Sequence, residues 1–230
     1  MDMYESVLQS NIASKLAYIP MRKNNKRFKI IHNKKSDVRV FIHTRQDQEQ
    51  DQVVAFRGSH DIQALLRFLN FKMDEIHMQD KAFHVHSGVI DMFKSIEPEL
   101  TNHLFPSPIT FYKPKTITFT GHSGGAAMAM FASVYYASII KKNLTIKCHM
   151  FGCPKVGDNN FVKFFLENTH ESVDITNEHD IVQHIPFGFK YDHNPKKIIL
   201  MDNSLDPLYS HDLDTYKTLL KDKTLLEDKT

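Results

Sequence analysis

The sequence predicts an α/β fold in which a mostly parallel central sheet carries helices on both faces. Three observations lead there. Runs of strand length alternate with segments whose apolar residues recur at helical spacing. Interior strand candidates such as VVAF read as continuous apolar runs, as expected where both faces of a sheet are covered. The chain has 230 residues, of which 41% are hydrophobic and 24% charged. That is enough apolar material for one sizeable core, and residues 1–230 are read as one domain.

Taken in order, Glu5 to Ile19 places Val7, Leu8, Ile12 and Leu16 at near-helical spacing and stops at Pro20, which predicts an N-terminal helix. FKIIH and VRVFIH, separated by NKKSD, predict a hairpin, and VVAFRG an interior strand. DIQALLRFLNF sets Ile62, Leu65, Leu66 and Leu69 at the i, i+3, i+4, i+7 positions of one helical stripe. Helices are expected at 88–100 and 125–142, a strand at TIKCHMFG, a helix at NNFVKFFLEN, strands at SVDITNE and KKIILM, and a closing helix at HDLDTYKTLLKD.

Composition excludes several classes. The formal charge of +2, with acidic and basic residues interspersed, offers no field for nucleic acid. Thr116 to Ile140 has no Asp, Glu, Lys or Arg. A charge-free stretch of ~20 residues can span a bilayer, but Gly121-His122-Ser123-Gly124-Gly125 interrupts this one, and a buried strand, tight turn and buried helix explain it better. Cys148 and Cys153 would face opposite ways on one extended strand and read as free thiols. MDMYESVLQS has no basic n-region followed by an apolar core. Together these two features favour an intracellular, cytoplasmic setting. His84 and His86 form an H-x-H, but no ligand pair nearby completes a zinc site, so no metal is expected.

The stretch TITFTGHSGGAAMAMF holds a G-x-S-x-G centred on Ser123 between a strand and a helix. A turn that sharp strains its central residue and brings the flanking positions into collision unless they lack side chains, which Gly121 and Gly125 supply. The strain would hold the Ser123 hydroxyl out at the carboxyl end of the sheet, with the Gly124 N–H at the helix start aimed at a developing oxyanion. A serine hydroxyl needs a base to take its proton and a carboxylate to orient that base. Asp180 sits at a strand's carboxyl edge, where open α/β sheets bind ligands, and His211 opens the last helix. Asp158, Asp174, Asp192, His179, His184 and His193 are also available, and spacing leaves the choice open.

Several stretches in order resemble the class 3 lipase family, the fungal-type triacylglycerol lipases with an α/β-hydrolase core. VVAFRGS is similar to its strand before the lid, VHSG to the motif before the next helix, and GHSGGAA to its nucleophile elbow. MFGCPKVGDNNF, DIVQHIPFGFKYDH and SHDLDTY resemble its later segments. The resemblance implies Ser123 as nucleophile, Asp180 as orienting acid and His211 as general base, with Ser59 and the Gly124 N–H as oxyanion donors. It places a noncatalytic histidine at His193, which ranks second to His211 as the base, and at His86 one for which an ordinary structural role is expected. The chain departs from the family pattern at Gly124, where leucine is common, at Gln183, where proline is, and at Lys155, where arginine is.

The function so implied is serine-dependent hydrolysis of acylglycerol esters through an acyl-enzyme, with no cofactor. Alternatives are a phospholipase or short-chain carboxylesterase, or a catalytically silent lipid-binding member of the fold, the last motivated by Gly124 and Gln183. The expected partners are a lipid or ester substrate and a transient membrane or lipid-droplet surface; oligomeric state is left open. Ile62, Leu65, Leu66 and Leu69 form the candidate lid, which either moves or packs permanently on the core.

Overall fold

The apolar runs pair into a sheet in which one strand runs against all the others. In the computed structural model, which describes residues 3–19, 28–44, 51–58, 72–106, 116–140, 144–187, 190–192, 197–204 and 206–227, the chain runs through α1 (Met3–Tyr18), β1 (Phe28–Asn33), β2 (Val38–Thr44), β3 (Asp51–Phe56), β4 (Met73–Met78), β5 (Lys81–His86) and α2 (Ser87–Leu104). It continues through β6 (Thr116–His122), α3 (Gly124–Ile139), β7 (Thr145–Phe151), α4 (Asn159–Asn168), β8 (Glu171–Asn177), a 3-10 turn (Ile181–His184), β9 (Lys197–Leu200), α5 (Pro207–Ser210) and α6 (Leu213–Glu227). Among the described residues the main sheet has the order β1-β2-β3-β6-β7-β8-β9. The hairpin-linked β1, β2 and β3 are antiparallel, and every pairing from β3 to β9 is parallel. This is the mostly parallel central sheet that the sequence predicts.

Helices cover both faces. On one, α2, α3 and α4 bring Phe93, Phe131, Phe161 and Phe164 onto Val54, Phe119 and Cys148 of the strands. Helix α3 packs on β3, β6 and β7 and against both α2 and α4, and Gly124 through Val134 are all buried. Burial on every side is why this stretch carries no charge. On the other face, Val7 of α1 and Leu213, Tyr216 and Leu220 of α6 pack with Phe151, Val173 and Ile175, and Ala13 and Ala17 lie over Phe41, Val53 and Ala55.

Helix α1 departs from the apolar stripe expected of it. Ile12 is exposed, and the buried face runs through Ser6, Val7, Ser10, Asn11, Ala13, Ser14 and Ala17. Small side chains let the helix backbone approach the sheet, and hydroxyls supply the contacts that apolar bulk would have. Ser10 Oγ meets His149 Nδ1 at 2.8 Å, Ser14 Oγ meets Thr120 Oγ1 at 3.1 Å, and His149 Nε2 reaches Glu171 Oε1 at 2.8 Å. The β4–β5 hairpin is a second difference. Its alternating exposure on a two-stranded sheet leaves little apolar signal in the sequence. A third is the end of the chain: His211 lies between α5 and α6, at the carboxyl end of α5, rather than opening the last helix.

Candidate active site

Strand register determines which residues meet. Phe56 pairs with Gly121, His122 with Phe151, and Phe151 with Ile175. The parallel strands β3, β6, β7 and β8 therefore end side by side, and Gly58, Ser123, Gly152 and Asp180 follow from those ends. This is the edge at which open α/β sheets place their ligands.

At the end of β6 the chain turns into α3 at Ser123, whose φ of 60° and ψ of −130° lie in a region that glycine favours. The turn is tight enough that a Cβ on Gly121 would come 2.3 Å from the Gly125 carbonyl, and one on Gly125 would come 2.2 Å from the Phe56 oxygen. Both positions require the absence of a side chain. The Ser123 N–H bonds to the Phe151 carbonyl at 2.9 Å, tying the turn to β7. The Gly124 N–H, at the first position of α3, belongs to the set that intrahelical bonding does not use.

Asp180 follows β8 and is fully buried. Its Oδ1 accepts from the Val182 N–H at 2.8 Å. Its Oδ2 accepts from the Tyr216 hydroxyl at 2.6 Å and is 2.7 Å from His211 Nδ1. A carboxylate surrounded by donors can only accept, so His211 carries its proton on Nδ1 and leaves Nε2 as a proton acceptor. Burial first, and then the charge of Asp180, push the Tyr216 phenol well above its usual range, so it remains a donor. Gly152, with φ +54°, lies flat against the pair: a Cβ there would stand 2.7 Å from Asp180 Oδ2 and 3.0 Å from His211 Nδ1 and Cε1.

His122 joins this pair to the turn. Its ring lies 4.5 Å from the His211 ring, centroid to centroid, and its Nε2 donates to the His211 carbonyl at 2.7 Å. Burial, reinforced by His211, brings the His122 imidazole down to about 3. The residue immediately before Ser123 is thus bonded to the backbone of His211.

The other candidates go elsewhere. Asp158 caps α4 by accepting from the Phe161 N–H and also meets His84. His179 pairs with Asp202 at 3.3 Å, and Asp192 accepts from Asn159. Asp174 is buried within β8, where loss of solvent raises its carboxyl to about 7. His86 caps α2, its Nδ1 accepting from the Gly88 N–H at 3.1 Å, which is the structural role expected of it. Gln183 braces the loop after β8 by donating to the Asn177 carbonyl at 2.7 Å. Ser59, Ile62, Leu65, Leu66, Leu69 and His193 lie outside the described residues. Tyr216, Gly152 and Tyr18 were not singled out from sequence. Tyr216 follows His211 by five positions on the closing helix, and that spacing is the one signal that could have found it.

Residues 53–190 match the family described as Lipase (class 3). Secreted mono- and diacylglycerol lipase 1 of Fusarium solani is 25% identical over 163 residues, covering 69% of this chain and 46% of the relative. Secreted mono- and diacylglycerol lipase MDL3 of Malassezia globosa is 27% identical over 152 residues, covering 62% and 50%. The chain thus spans about half the length of the curated relatives it matches. A triacylglycerol lipase structure from Penicillium expansum superposes with a TM-score of 0.73 at 14% identity, over 86% of this chain and 79% of that one.

The relatives overturn one expectation. Both fungal proteins are named as secreted, which points away from the cytoplasmic setting expected from the thiols and the N-terminal residues. The thiols were a poor guide because Cys148 and Cys153 are buried, and a buried thiol is inert in either redox environment.

Proposed function

The chain belongs to the class 3 lipase family, and from that premise we propose a serine-dependent lipase or esterase that hydrolyses carboxylic esters of acylglycerols, with residues 1–230 forming one domain. Ser123 is the nucleophile, His211 the general base and Asp180 the group that orients it. The observation that carries this reading is the buried Asp180–His211 hydrogen bond of 2.7 Å, tied through His122 to the turn that bears Ser123.

In the reaction, His211 Nε2 takes the proton of Ser123 Oγ as the oxygen attacks the ester carbonyl. Asp180 holds the Nδ1 proton and stabilises the imidazolium that forms. The Gly124 N–H, with Ser59 as the second donor, receives the charge on the carbonyl oxygen. Removing one such donor costs about 3 kcal/mol of barrier. The tetrahedral adduct collapses as His211 gives its proton to the leaving alcohol, and the acyl group stays on Ser123. Water, deprotonated by His211, then releases the fatty acid. No metal or organic cofactor is called upon.

A lipid substrate gains support from exposed apolar side chains next to the pair in sequence: Ile181 after Asp180, and Leu208 and Tyr209 before His211. They suit transient contact with a lipid surface. The segment bearing Ile62, Leu65, Leu66 and Leu69 would serve as a lid over the site, and cleavage by a protease unchanged by micelles would count against that. The names of the fungal relatives make an extracellular place of action part of the proposal. A silent, lipid-binding role would fit a relaxed loop at Gln183, and the bond from that side chain to Asn177 weighs against it.

The test is covalent. A fluorophosphonate probe should label the wild-type protein and fail on Ser123→Ala, and a panel of glycerides, phospholipids and short esters should then rank the substrate class. A folded wild-type protein that takes no label would refute the assignment.

A further inference from the structure

Helix α1 ends at Tyr18, and neither Tyr18 nor His211 lies within the segment that matches the family. The structure nevertheless joins them. The Tyr18 hydroxyl accepts from the Gly58 backbone N–H and lies 3.1 Å from His122 Nδ1. The next atoms in the chain of contacts are His122 Nε2 and the His211 carbonyl oxygen, at 2.7 Å. Proton positions along this chain are fixed by its ends. A carbonyl can only accept, so His122 Nε2 holds a hydrogen. With the ring neutral, Nδ1 is an acceptor, and the Tyr18 O–H must donate to it. The Gly58 N–H then fills the remaining acceptor site on the Tyr18 oxygen.

We propose that Tyr18 and His122 are positioning residues: the Tyr18 hydroxyl locks His122 in its neutral Nε2–H tautomer, and that imidazole in turn fixes the backbone of His211 relative to the Ser123 turn and to the end of β3. This rests on the assignment of Ser123, Asp180 and His211 above. The junction unites the four pieces the reaction needs in register: the β3 end that leads to Ser59, the turn at Ser123, the base, and α1, which holds them from behind.

The lock has an electrostatic side as well. During acyl transfer His211 becomes a cation, and the His122 ring stands 4.5 Å away. A protonated His122 would oppose that cation, whereas a neutral one does not. Among the described residues the charged or titratable neighbours are His211, Asp180 and Tyr216 around His122, and Arg57 and Asp212 around Tyr18. Burial outweighs all of them at both groups: it keeps the imidazole neutral and lifts the Tyr18 phenol to about 12, so its proton stays on oxygen at any working pH.

The experiment uses the full chain labelled with 15N-histidine. Wild-type His122 should show one protonated Nε2 and one unprotonated Nδ1 from pH 5 to 8, without titrating. Tyr18→Phe should shift the Nδ1 resonance as its donor is lost. His122→Phe keeps a ring against His211 but deletes the donor; a small misplacement of the base should lower kcat and the fluorophosphonate labelling rate about tenfold, with KM unchanged. His122→Gln restores a donor near the Nε2 position and should recover most of that loss. An Nδ1–H or doubly protonated His122, or His122→Phe and Tyr18→Phe both labelled at the wild-type rate, would overturn the proposal. Absence of labelling in the wild-type protein itself would instead locate the failure in the assignment of the nucleophile and base, and the positioning role would fall with it.

Discussion

Gly152→Ala is the sharpest single test of the geometry, because the added methyl points at the Asp180–His211 pair. Placed on the existing backbone, the new Cβ would be 2.7 Å from Asp180 Oδ2 and 3.0 Å from His211 Nδ1 and Cε1. Ordinary contact begins near 3.4 Å, so the carboxylate must retreat by about 0.7 Å and the imidazole by about 0.4 Å. They cannot retreat together without strain, since Oδ2 is also held by the Tyr216 hydroxyl at 2.6 Å and His211 by His122 through its carbonyl. The 2.7 Å bond between them must open or tilt. A misplacement approaching 1 Å in a reacting group costs about 100-fold, so kcat should fall between about 10- and 100-fold. Stability should fall too. The backbone at 152 has φ +54°, where alanine costs about 1–2 kcal/mol more than glycine. In a chain of this size that lowers the thermal midpoint by about 2–8 °C. Hydrolysis of a soluble short-chain nitrophenyl ester and scanning calorimetry measure the two effects separately. A variant that keeps kcat within threefold of wild type would refute the view that the Asp180–His211 contact has no room to yield.

Two further perturbations follow from the same site and its surroundings. Tyr216→Phe removes the hydroxyl that donates to Asp180 Oδ2 and leaves the Asn177 N–H, now 3.1 Å from the Tyr216 phenolic oxygen, without its acceptor; a hydrogen bond to a charged group contributes about 1.5 kcal/mol or more, so kcat/KM should drop about tenfold, and unchanged kinetics would show the contact to be idle. Asp174→Asn should change how stability depends on pH. Burial raises the folded carboxyl from 3.8 to about 7, so folding takes up a proton between those values, and wild-type stability is lost as pH rises through that window. The amide has no proton to lose, so the variant should be the more stable protein at pH 8, with its advantage shrinking towards pH 4. Parallel thermal-midpoint curves for the two proteins across that range would contradict the account.

Much of this arrangement could be read before any coordinates. The strands at TITFT and TIKCHMF and the helix at NNFVKFFLEN are dictated by local pattern, and the glycines at 121 and 125 by the one turn that needs them. What sequence could not supply was pairing at a distance. Asp158, Asp174 and Asp180 are alike in composition and setting; they differ in what faces them, a helix N-terminus, a solvent-free strand and an imidazole respectively. Helix α1 shows the same limit from another side. Its apolar residues suggested one face, but the helix packs through serines and alanines, because the sheet beneath offers His149 and Thr120 as hydrogen-bond partners. Periodicity weighs apolar bulk and does not register a polar surface that is satisfied once buried. The compartment is illegible for a related reason: two buried cysteines and ten residues at one end do not specify it.

Those same cysteines have a practical consequence. Burial lifts the Cys148 thiol to about 12 and Cys153 higher than its usual range as well, and alkylation proceeds through the thiolate. In the folded state a maleimide or iodoacetamide therefore has almost no anion to capture and no path to reach it. Modification must wait for the sheet to open, so the rate at which reagent is consumed becomes a clock for that opening, readable by mass spectrometry under conditions where no ester turnover occurs.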